Sequence, residues 1–186
     1  GSLFYGGITS PVPGALIGKN IDLHSIAGFG TLNDGVIGCQ GCVLSFQVNG
    51  NTVEGPDERK WSGGGIMTIT GQVTALGLPA GSELATGSFT SADVDFSAAT
   101  GLLTMSGFGT DTKNQAILDY FGLAQGFTFA TATLNAAGVI LDPAAACEAA
   151  GVRPACEDGA FYANVTNADF DNVGTVVPVP AAVWLF

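Results

Sequence analysis

The sequence predicts an all-β domain with minor α content, built as a Gly-rich antiparallel β-sandwich or jelly-roll-like domain with one or two short helices. Short stretches of alternating apolar and polar residues recur about every eight to twelve residues, separated by Gly-rich turns. The chain has 186 residues, of which 28 are glycine and only 11% are charged. This length suits one domain, which we place at residues 1–177, with a distinct terminal segment at 178–186.

The charge balance limits the classes of partner. Five Lys and Arg stand against sixteen Asp and Glu, which gives a net charge of −11. Such a charge repels nucleic acid and anionic membranes, so we predict no nucleic-acid partner. No uninterrupted apolar run is long enough to span a bilayer, so we expect a mature form that does not span the membrane. The low charge is typical of an extracellular β protein, whose secretion would require a signal peptide removed before Gly1.

The first third of the chain contains several strand candidates. Leu3 to Ile8 is short and rich in aromatic residues, and Ala15 to Ile26 alternates at Ile21 and Leu23. A loop is expected at Gly28 to Gly38. Val43 to Val48 alternates again and leads into Asn49-Gly50, a strong hairpin signal, so a return strand is expected from Thr52 onward.

The middle of the chain continues the pattern. Ile66 to Thr70 has strict period-two alternation, and the Leu-Pro-Ala-Gly sequence at 78–81 predicts a turn. Ser88 to Phe96 and Leu102 to Met105 are the next strand candidates. Phe127 to Leu134 carries the clearest strand pattern of the chain, while 160–165 and 175–179 are expected to complete the sheets.

One helix is predicted over Thr110–Gly122. Asp111 or Thr112 can cap its start, and Gly122 stands where a helix-ending glycine belongs. Ile117, Leu118 and Phe121 fall on one helical face. We expect the helix to pack over an open end of the sheet through Ile117, Tyr120 and Phe121. A second, Ala-rich helical turn is predicted at Pro143–Ala150, since proline is favoured at the first helical position.

The four cysteines form two local couples, Cys39 with Cys42 and Cys147 with Cys156. An even number of cysteines in a chain of secreted composition favours disulfides, and we predict these two bonds among the three possible pairings. Two alternatives remain open. A redox pair needs a helix N-terminus to lower the thiol pKa, whereas Cys42 runs directly into a strand-like segment. Two cysteine couples can also hold zinc.

Calcium is the ligand that the acidic residues favour most. Asn167, Asp169 and Asp171 place oxygen-bearing side chains at alternate positions, and Asn172 adds a fourth. Because calcium takes six to eight oxygen ligands, other loops would have to contribute. The candidates for this contribution are Asp34, Asp111, Glu157 and Asp158. A plain Asx-rich turn is the alternative interpretation of the segment.

No catalytic pattern is found in the sequence. The single histidine, His24, has no nearby acidic partner, and the sequence has no Gly-x-Ser-x-Gly or His-Glu-x-x-His motif. Asp93 and Asp95 lie two residues apart on a predicted strand, so they share one face, which we expect to be solvated. We therefore predict a protein that is not an enzyme.

The terminal segment reads Pro178-Val179-Pro180-Ala181-Ala182-Val183-Trp184-Leu185-Phe186. Proline cannot donate to a β ladder, so the segment begins as extended chain. The run that follows is wholly apolar, and leaving it in water is unfavourable by about 25 cal/mol per Å². The segment resembles the start of the PEP-CTERM sorting signal of Gram-negative bacteria, in which Pro-x-Pro precedes Ala-Ala-Val-Trp-Leu-Phe.

The resemblance is partial. The family frequently has Glu where this chain has Val179, and its signal continues into a Gly-rich transmembrane helix and an Arg cluster that this sequence lacks. Short motifs in the body also look like the globular part of some PEP-CTERM proteins, among them the Cys-x-x-Cys before a strand. The resemblance implies that an exosortase processes a longer precursor at the cell surface of a Gram-negative bacterium. It also implies an extracellular polysaccharide matrix as the destination, and it supplies no catalytic residues.

These observations predict a secreted, non-enzymatic surface or matrix protein that assembles with itself into filaments. Both ends are apolar and strand-like, and a terminal strand added to a neighbour's sheet forms a head-to-tail contact that does not close. The expected assembly residues are Leu3, Phe4, Tyr5, Val183, Trp184, Leu185 and Phe186.

Two other function classes remain. One is a carbohydrate-binding module of a biofilm or polysaccharide matrix, in which Trp61 and exposed tyrosines stack on sugars. The other is an acidic hydrolase, which rests only on the number of carboxylates.

Overall fold

The computed structural model describes residues 1–6, 14–29, 31–53, 58–62, 64–97, 99–123, 127–151, 156 and 159–174. This part of the chain is mostly strand with two short helices, which confirms the predicted all-β class. The strands are β1 (Ser2–Tyr5), β2 (Leu16–Ala27), β3 (Val36–Val48), β4 (Asn51–Val53), β5 (Glu58–Trp61), β6 (Gly65–Val73), β7 (Leu78–Ser97), β8 (Leu102–Lys113), β9 (Phe127–Ile140) and β10 (Phe161–Gly174). The helices are α1 (Gln115–Phe121) and α2 (Pro143–Ala150).

The strands form one sheet, in the order β4-β5-β7-β6-β3-β2-β1-β10-β9-β8, and every described neighbour pair is antiparallel. An additional pairing between β7 and β8 closes the sheet on itself. Opposite parts of the closed sheet face each other across a shared apolar interior. The architecture is therefore sandwich-like, but it is made from a continuous sheet.

The long strand β7 makes the closure possible. It has 20 residues, pairs with β6 and then β5 along one edge, and pairs with β8 along the other. The prediction of a turn at residues 78–81 is wrong, because these residues already belong to β7. The chain reverses directly before β7, in a 3-10 helix at Thr74–Leu76 that ends at Gly77 with φ of 69°.

The predicted hairpin at Asn49-Gly50 is also wrong in its pairing. Gly50 does adopt the left-handed conformation of a turn residue, with φ of 74°. However, β4 pairs with β5, with Asn51 opposite Trp61, and not with β3. Both edges of β3 are already hydrogen-bonded, to β2 and to β6, so the returning chain has no free edge to join.

The main core consists of the inward-facing side chains of the closed sheet. The rings of Phe46 and Phe89 lie 5.1 Å apart across the interior, and those of Tyr5 and Trp61 meet edge to face at 5.5 Å. Trp61 is fully buried, and its indole N–H donates to the Gly14 carbonyl at 2.9 Å. This hydrogen bond satisfies the one polar group of the side chain, so burying it is not costly.

Helix α1 closes one end of the sheet, as predicted, although it is shorter than expected. Residues 110–113 remain in β8, and the cap is Asn114, whose side chain accepts a hydrogen bond from the Ala116 N–H at 3.0 Å. The predicted caps Asp111 and Thr112 are thus wrong. Phe121 is buried and lies so close to Gly28 that a Cβ at position 28 would lie 2.2 Å from its ring.

Helix α2 confirms the second helix prediction. Asp142 caps it by accepting from the Ala145 N–H at 2.9 Å, and Pro143 occupies its first turn. Gly151 ends it in the left-handed conformation, with φ of 67°. Asp142 and Pro143 therefore set the start of the helix, and Gly151 sets its end, through preferences that depend only on the neighbouring residues.

Candidate assembly site

The N-terminal strand lies inside the sheet, not at an edge. Strand β1 pairs with β2 on one side and with β10 on the other. Leu3, Phe4 and Tyr5 are buried, with exposures of 0%, 6% and 2%. These three predicted assembly residues therefore make their described contacts within their own chain, and assembly through them would require β1 to leave the sheet.

Strand β1 is much shorter than its two neighbours. It has 4 residues, whereas β2 has 12 and β10 has 14. The Gly1 carbonyl accepts a hydrogen bond from the Val165 N–H at 3.0 Å, and Gly1 packs so closely that a Cβ would lie 2.4 Å from the Asn20 carbonyl oxygen. The backbone at Asn20 bulges, with φ of 49°. Strands β2 and β10 both continue past the level of Gly1.

We call this region the open slot and define it by Ile21–Ala27 of β2 and Thr166–Gly174 of β10. On their far sides these segments are paired with β3 and β9. On the side that faces the slot, no strand among the described residues pairs with either of them.

The side chains of the open slot differ between its inner and outer faces. Leu23 and Ala168, like the neighbouring Val165, are packed against the main core but remain partly exposed. Asp22 lies on the outer face, with a side-chain exposure of 66%, and its carboxylate lies 3.4 Å from the Gly1 ammonium nitrogen. His24 is exposed on the same strand. The slot therefore has an apolar floor and a polar rim.

The open slot points toward the end of the sheet that carries α1, which we call the distal end. Gly174, the last described residue of β10, is opposite Phe127, which is itself opposite Asp111 near the end of β8. Exposed apolar side chains lie at this end, Phe29 and Leu32 at 77% in the connection between β2 and β3 and Val36 at 59% at the start of β3. Val183, Trp184, Leu185 and Phe186, the other predicted assembly residues, lie outside the described residues.

Both predicted disulfides are present. Cys39 and Cys42 are bonded with Cα atoms 5.7 Å apart, and so are Cys147 and Cys156, also at 5.7 Å. No described cysteine is free. The sequence separations of 3 and 9 imply stabilisation of about 2 and 3 kcal/mol through the unfolded chain. The first bond spans a bulge in β3 at Gly41, where φ is 57°, and lies in the apolar cluster under α1.

The predicted calcium residues lie on a strand and not in a turn. Asn167 and Asp169 belong to β10, opposite Asn135 and Thr133 of β9, and both are exposed. Asp171 continues the same strand. Within the described part of the chain, no group of three or more His, Cys, Asp or Glu side chains could hold a metal ion. Calcium binding stays a prediction, and Glu157 and Asp158 lie outside the described residues.

Asp111, another predicted calcium ligand, has a structural partner instead. Its side chain is fully buried and forms an ion pair with Lys113, two residues along β8. Burial lowers the pKa of Lys113, while the hydrogen bond and charge of Asp111 oppose this shift. Gly87 makes room for the pair, since a Cβ there would lie 2.8 Å from the Asp111 Cβ.

Asp93, Asp95 and His24 lie on two different strands. Asp93 is 3.7 Å from the Lys60 ammonium on β5, and Asp95 is exposed on the same face, as predicted from their spacing. His24 lies on a different strand, β2, at the open slot. Asp93 and Asp95 are therefore on β7, whereas the single histidine is on β2.

The expectation that Trp61 stacks on sugars is wrong, because its side chain is fully buried. A small cavity that Trp61 does not line has a volume of about 150 Å³, and Arg59, Phe96, Leu103 and Leu141 are among its lining residues. Ligand pockets for drug-sized molecules measure roughly 300–1,000 Å³. The cavity is therefore too small for an oligosaccharide, and Arg59 already packs over the Tyr5 ring at 5.7 Å.

No helix in the described ranges combines the length and apolar character needed to cross a bilayer. Comparison with protein families, with curated proteins and with solved structures gives no match.

Proposed function

We propose that this chain is a non-enzymatic, secreted surface or matrix protein that associates with itself through its C-terminal segment. The observation that carries the proposal is the segment at 178–186, in which two prolines precede a wholly apolar run that resembles the PEP-CTERM sorting signal. Unpaired edges favour the addition of a strand from another chain, since its main-chain hydrogen bonds complete the ladder. The apolar segment at 178–186 has the composition of such a strand.

Two further observations support the secreted destination. The disulfides are typical of proteins that mature in an oxidising compartment. The terminal segment resembles the PEP-CTERM sorting signal, so the proposal includes a Gram-negative source, an exosortase acting on a longer precursor and a matrix of extracellular polysaccharide around the mature protein. The net charge of −11 disfavours nucleic acid as a partner, because both carry negative charge.

Deletion of the terminal segment tests the proposal. We expect the full chain to associate, and a chain that ends at Val177 to remain monomeric with an unchanged circular dichroism spectrum and melting temperature. Sedimentation velocity measures the association, and electron microscopy distinguishes closed oligomers from filaments. If both chains are monomeric at high concentration, or both form the same assemblies, the proposal fails.

Single substitutions provide a matched control. Val183→Glu puts a charge into the apolar run and should abolish association. Val179→Glu puts the same charge between the prolines, where the PEP-CTERM signal frequently has Glu. It should change the dissociation constant by no more than about threefold, which corresponds to less than 1 kcal/mol and is typical of a surface substitution. Substitutions in β1 are unsuitable as controls, because Leu3 and Tyr5 are core residues whose replacement by Asp would unfold the domain.

A further inference from the structure

We propose that the cavity beside Arg59 is a binding site for a small carboxylate whose apolar body is about the size of one six-membered ring. The cavity has a volume of about 150 Å³, and it is lined by one charged side chain and otherwise by apolar residues. We call it the Arg59 pocket. The inference is independent of the proposed self-association, because it concerns a different part of the molecule.

The Arg59 pocket lies at the end of the sheet opposite the distal end. Strand β10 begins there at Phe161, and Phe96 near the end of β7 is opposite Leu103 near the start of β8. These three side chains line the pocket together with Val94 and Leu141. Leu141 is 51% exposed and Phe96 is partly exposed, so the pocket opens to solvent on this side. A ligand can therefore enter without separating any strands.

Arg59 is a half-buried, inward-facing residue of β5. It stands two positions before the fully buried Trp61, and side chains two apart on a strand share one face. Its partner across the ladder with β7, Val94, is also buried. Inward positions of a sheet are normally apolar, because removing a charge from water is costly. A guanidinium at such a position is therefore expected to bind an anion.

Two contacts position the guanidinium, and neither supplies a negative charge. Its central carbon lies 5.7 Å from the centre of the Tyr5 ring, and a Cβ at Gly159 would lie 2.6 Å from one of its terminal nitrogens. None of the described carboxylates forms an ion pair with Arg59. A guanidinium placed over a ring can still donate the N–H groups at its edge, which match the two oxygens of a carboxylate.

The size and the lining of the Arg59 pocket select the class of ligand. An apolar cavity of about 150 Å³ is large enough to hold benzene. Phosphate or sulfate would leave the apolar walls uncovered, and a sugar would bury hydroxyl groups against side chains that cannot pair with them. A carboxylate attached to one apolar ring matches both the guanidinium and the walls. Benzoate is therefore the probe.

Titration calorimetry and methyl NMR of the full chain test the site. Benzoate should bind once per chain with a dissociation constant of about 1 mM or lower, as expected for a ligand of its size. Benzamide keeps the shape without the charge, and acetate keeps the charge without the ring, so both should bind at least about tenfold more weakly. Benzoate should shift the methyl signals of Leu103 and Leu141, which line the pocket, but not those of Leu118 in α1.

A matched pair of variants assigns the charge. Arg59→Gln removes the guanidinium from the inner face and should weaken benzoate binding at least about tenfold. Lys60→Gln removes the same unit of charge from the next residue, whose ammonium lies 3.7 Å from Asp93. It should change the affinity by less than about threefold, because salt screens a charge outside the site. If Arg59→Gln does not fold, the comparison of benzoate with benzamide on the original chain decides.

Several results would overturn the proposal. The first is the absence of benzoate binding at about 10 mM ligand. Equal affinities for benzoate and benzamide, or for benzoate and acetate, would do the same, as would equal losses for Arg59→Gln and Lys60→Gln. The last is binding that occurs only in the variant Glu157→Gln/Asp158→Asn. These two residues precede Gly159 and lie outside the described residues, and that result would mean that a carboxylate of the chain itself occupies the site.

Discussion

At the scale of single residues, the ion pair of Asp111 and Lys113 shows how a polar group is accommodated in an apolar sheet. Asp111 is 3% exposed, and its carboxylate is bonded to the ammonium of Lys113. Burial lowers the pKa of Lys113, and Asp111 counteracts this by stabilising the charged form. Removing one partner leaves the other charge buried, which costs more than the pair itself contributes.

We therefore expect Asp111→Ala to reduce the free energy of unfolding by about 3 kcal/mol at neutral pH, measured by urea denaturation. The matched control is Asp93→Ala, which removes a partly exposed carboxylate 3.7 Å from Lys60 and should cost less than about 1 kcal/mol. The double variant Asp111→Leu/Lys113→Met should recover most of the loss, because no charge remains buried. Equal losses for Asp111→Ala and Asp93→Ala would contradict the structural role assigned to the pair.

At the scale of elements, α1 joins distant parts of the sheet. Its Phe121 belongs to an apolar cluster with Ile37 of β3 and Leu84 of β7, and its carbonyl accepts a hydrogen bond from the Leu32 N–H at 3.1 Å. The short helix has little stability of its own, since isolated helices of fewer than about twelve residues are marginal in water. Its stability therefore comes from the cap and from this packing.

Removing the cap and removing the packed ring should lower the free energy of unfolding by different amounts. We expect Asn114→Ala to cost about 1 kcal/mol, because it removes the side chain that caps the helix. Phe121→Ala should cost about 3 to 5 kcal/mol, because it leaves a cavity in the cluster under the helix. Gln115→Ala, on the exposed face, serves as the control and should stay within about 0.5 kcal/mol. Urea denaturation measures all three; a loss for Phe121→Ala no larger than that of the control would show that α1 does not support the sheet.

At the scale of the whole molecule, charge and shape act in opposite directions on association. Each copy carries a net charge of −11, so two copies repel each other when they approach. The exposed apolar side chains at the distal end favour contact instead. The balance depends on ionic strength, because salt screens the long-range repulsion far more than it affects apolar burial or backbone hydrogen bonds.

We expect association of the full chain to tighten roughly tenfold or more when the ionic strength rises from 0.01 M to 0.15 M, as the screening length falls from about 30 Å to about 8 Å. Sedimentation equilibrium at both salt concentrations measures the dissociation constant. The chain ending at Val177 is the control and should stay monomeric at both. Association that weakens with added salt would indicate contacts between opposite charges, and so a different interface.

Much of the fold follows from local sequence patterns. The alternation of Ile66 to Thr70 specifies a strand, Pro143 and Gly151 mark the limits of a helix, and closely spaced cysteines form their bonds within one segment of chain. Each of these features depends on backbone dihedral preferences or on contacts within a few residues. The sequence therefore determines each one, whichever strands or helices pack against it.

Tertiary structure alone decided which strands meet. Nothing local in Leu3 to Tyr5 shows that this short strand lies between β2 and β10, or that it ends before they do. Nothing local at Asn49-Gly50 shows that both edges of β3 are already taken, and nothing near Trp61 shows that its ring lies against Tyr5. Strand partners, burial and the open slot come from contacts between residues far apart in the chain. The period-two pattern determines the faces of each strand, but it carries no information about the strand on either side.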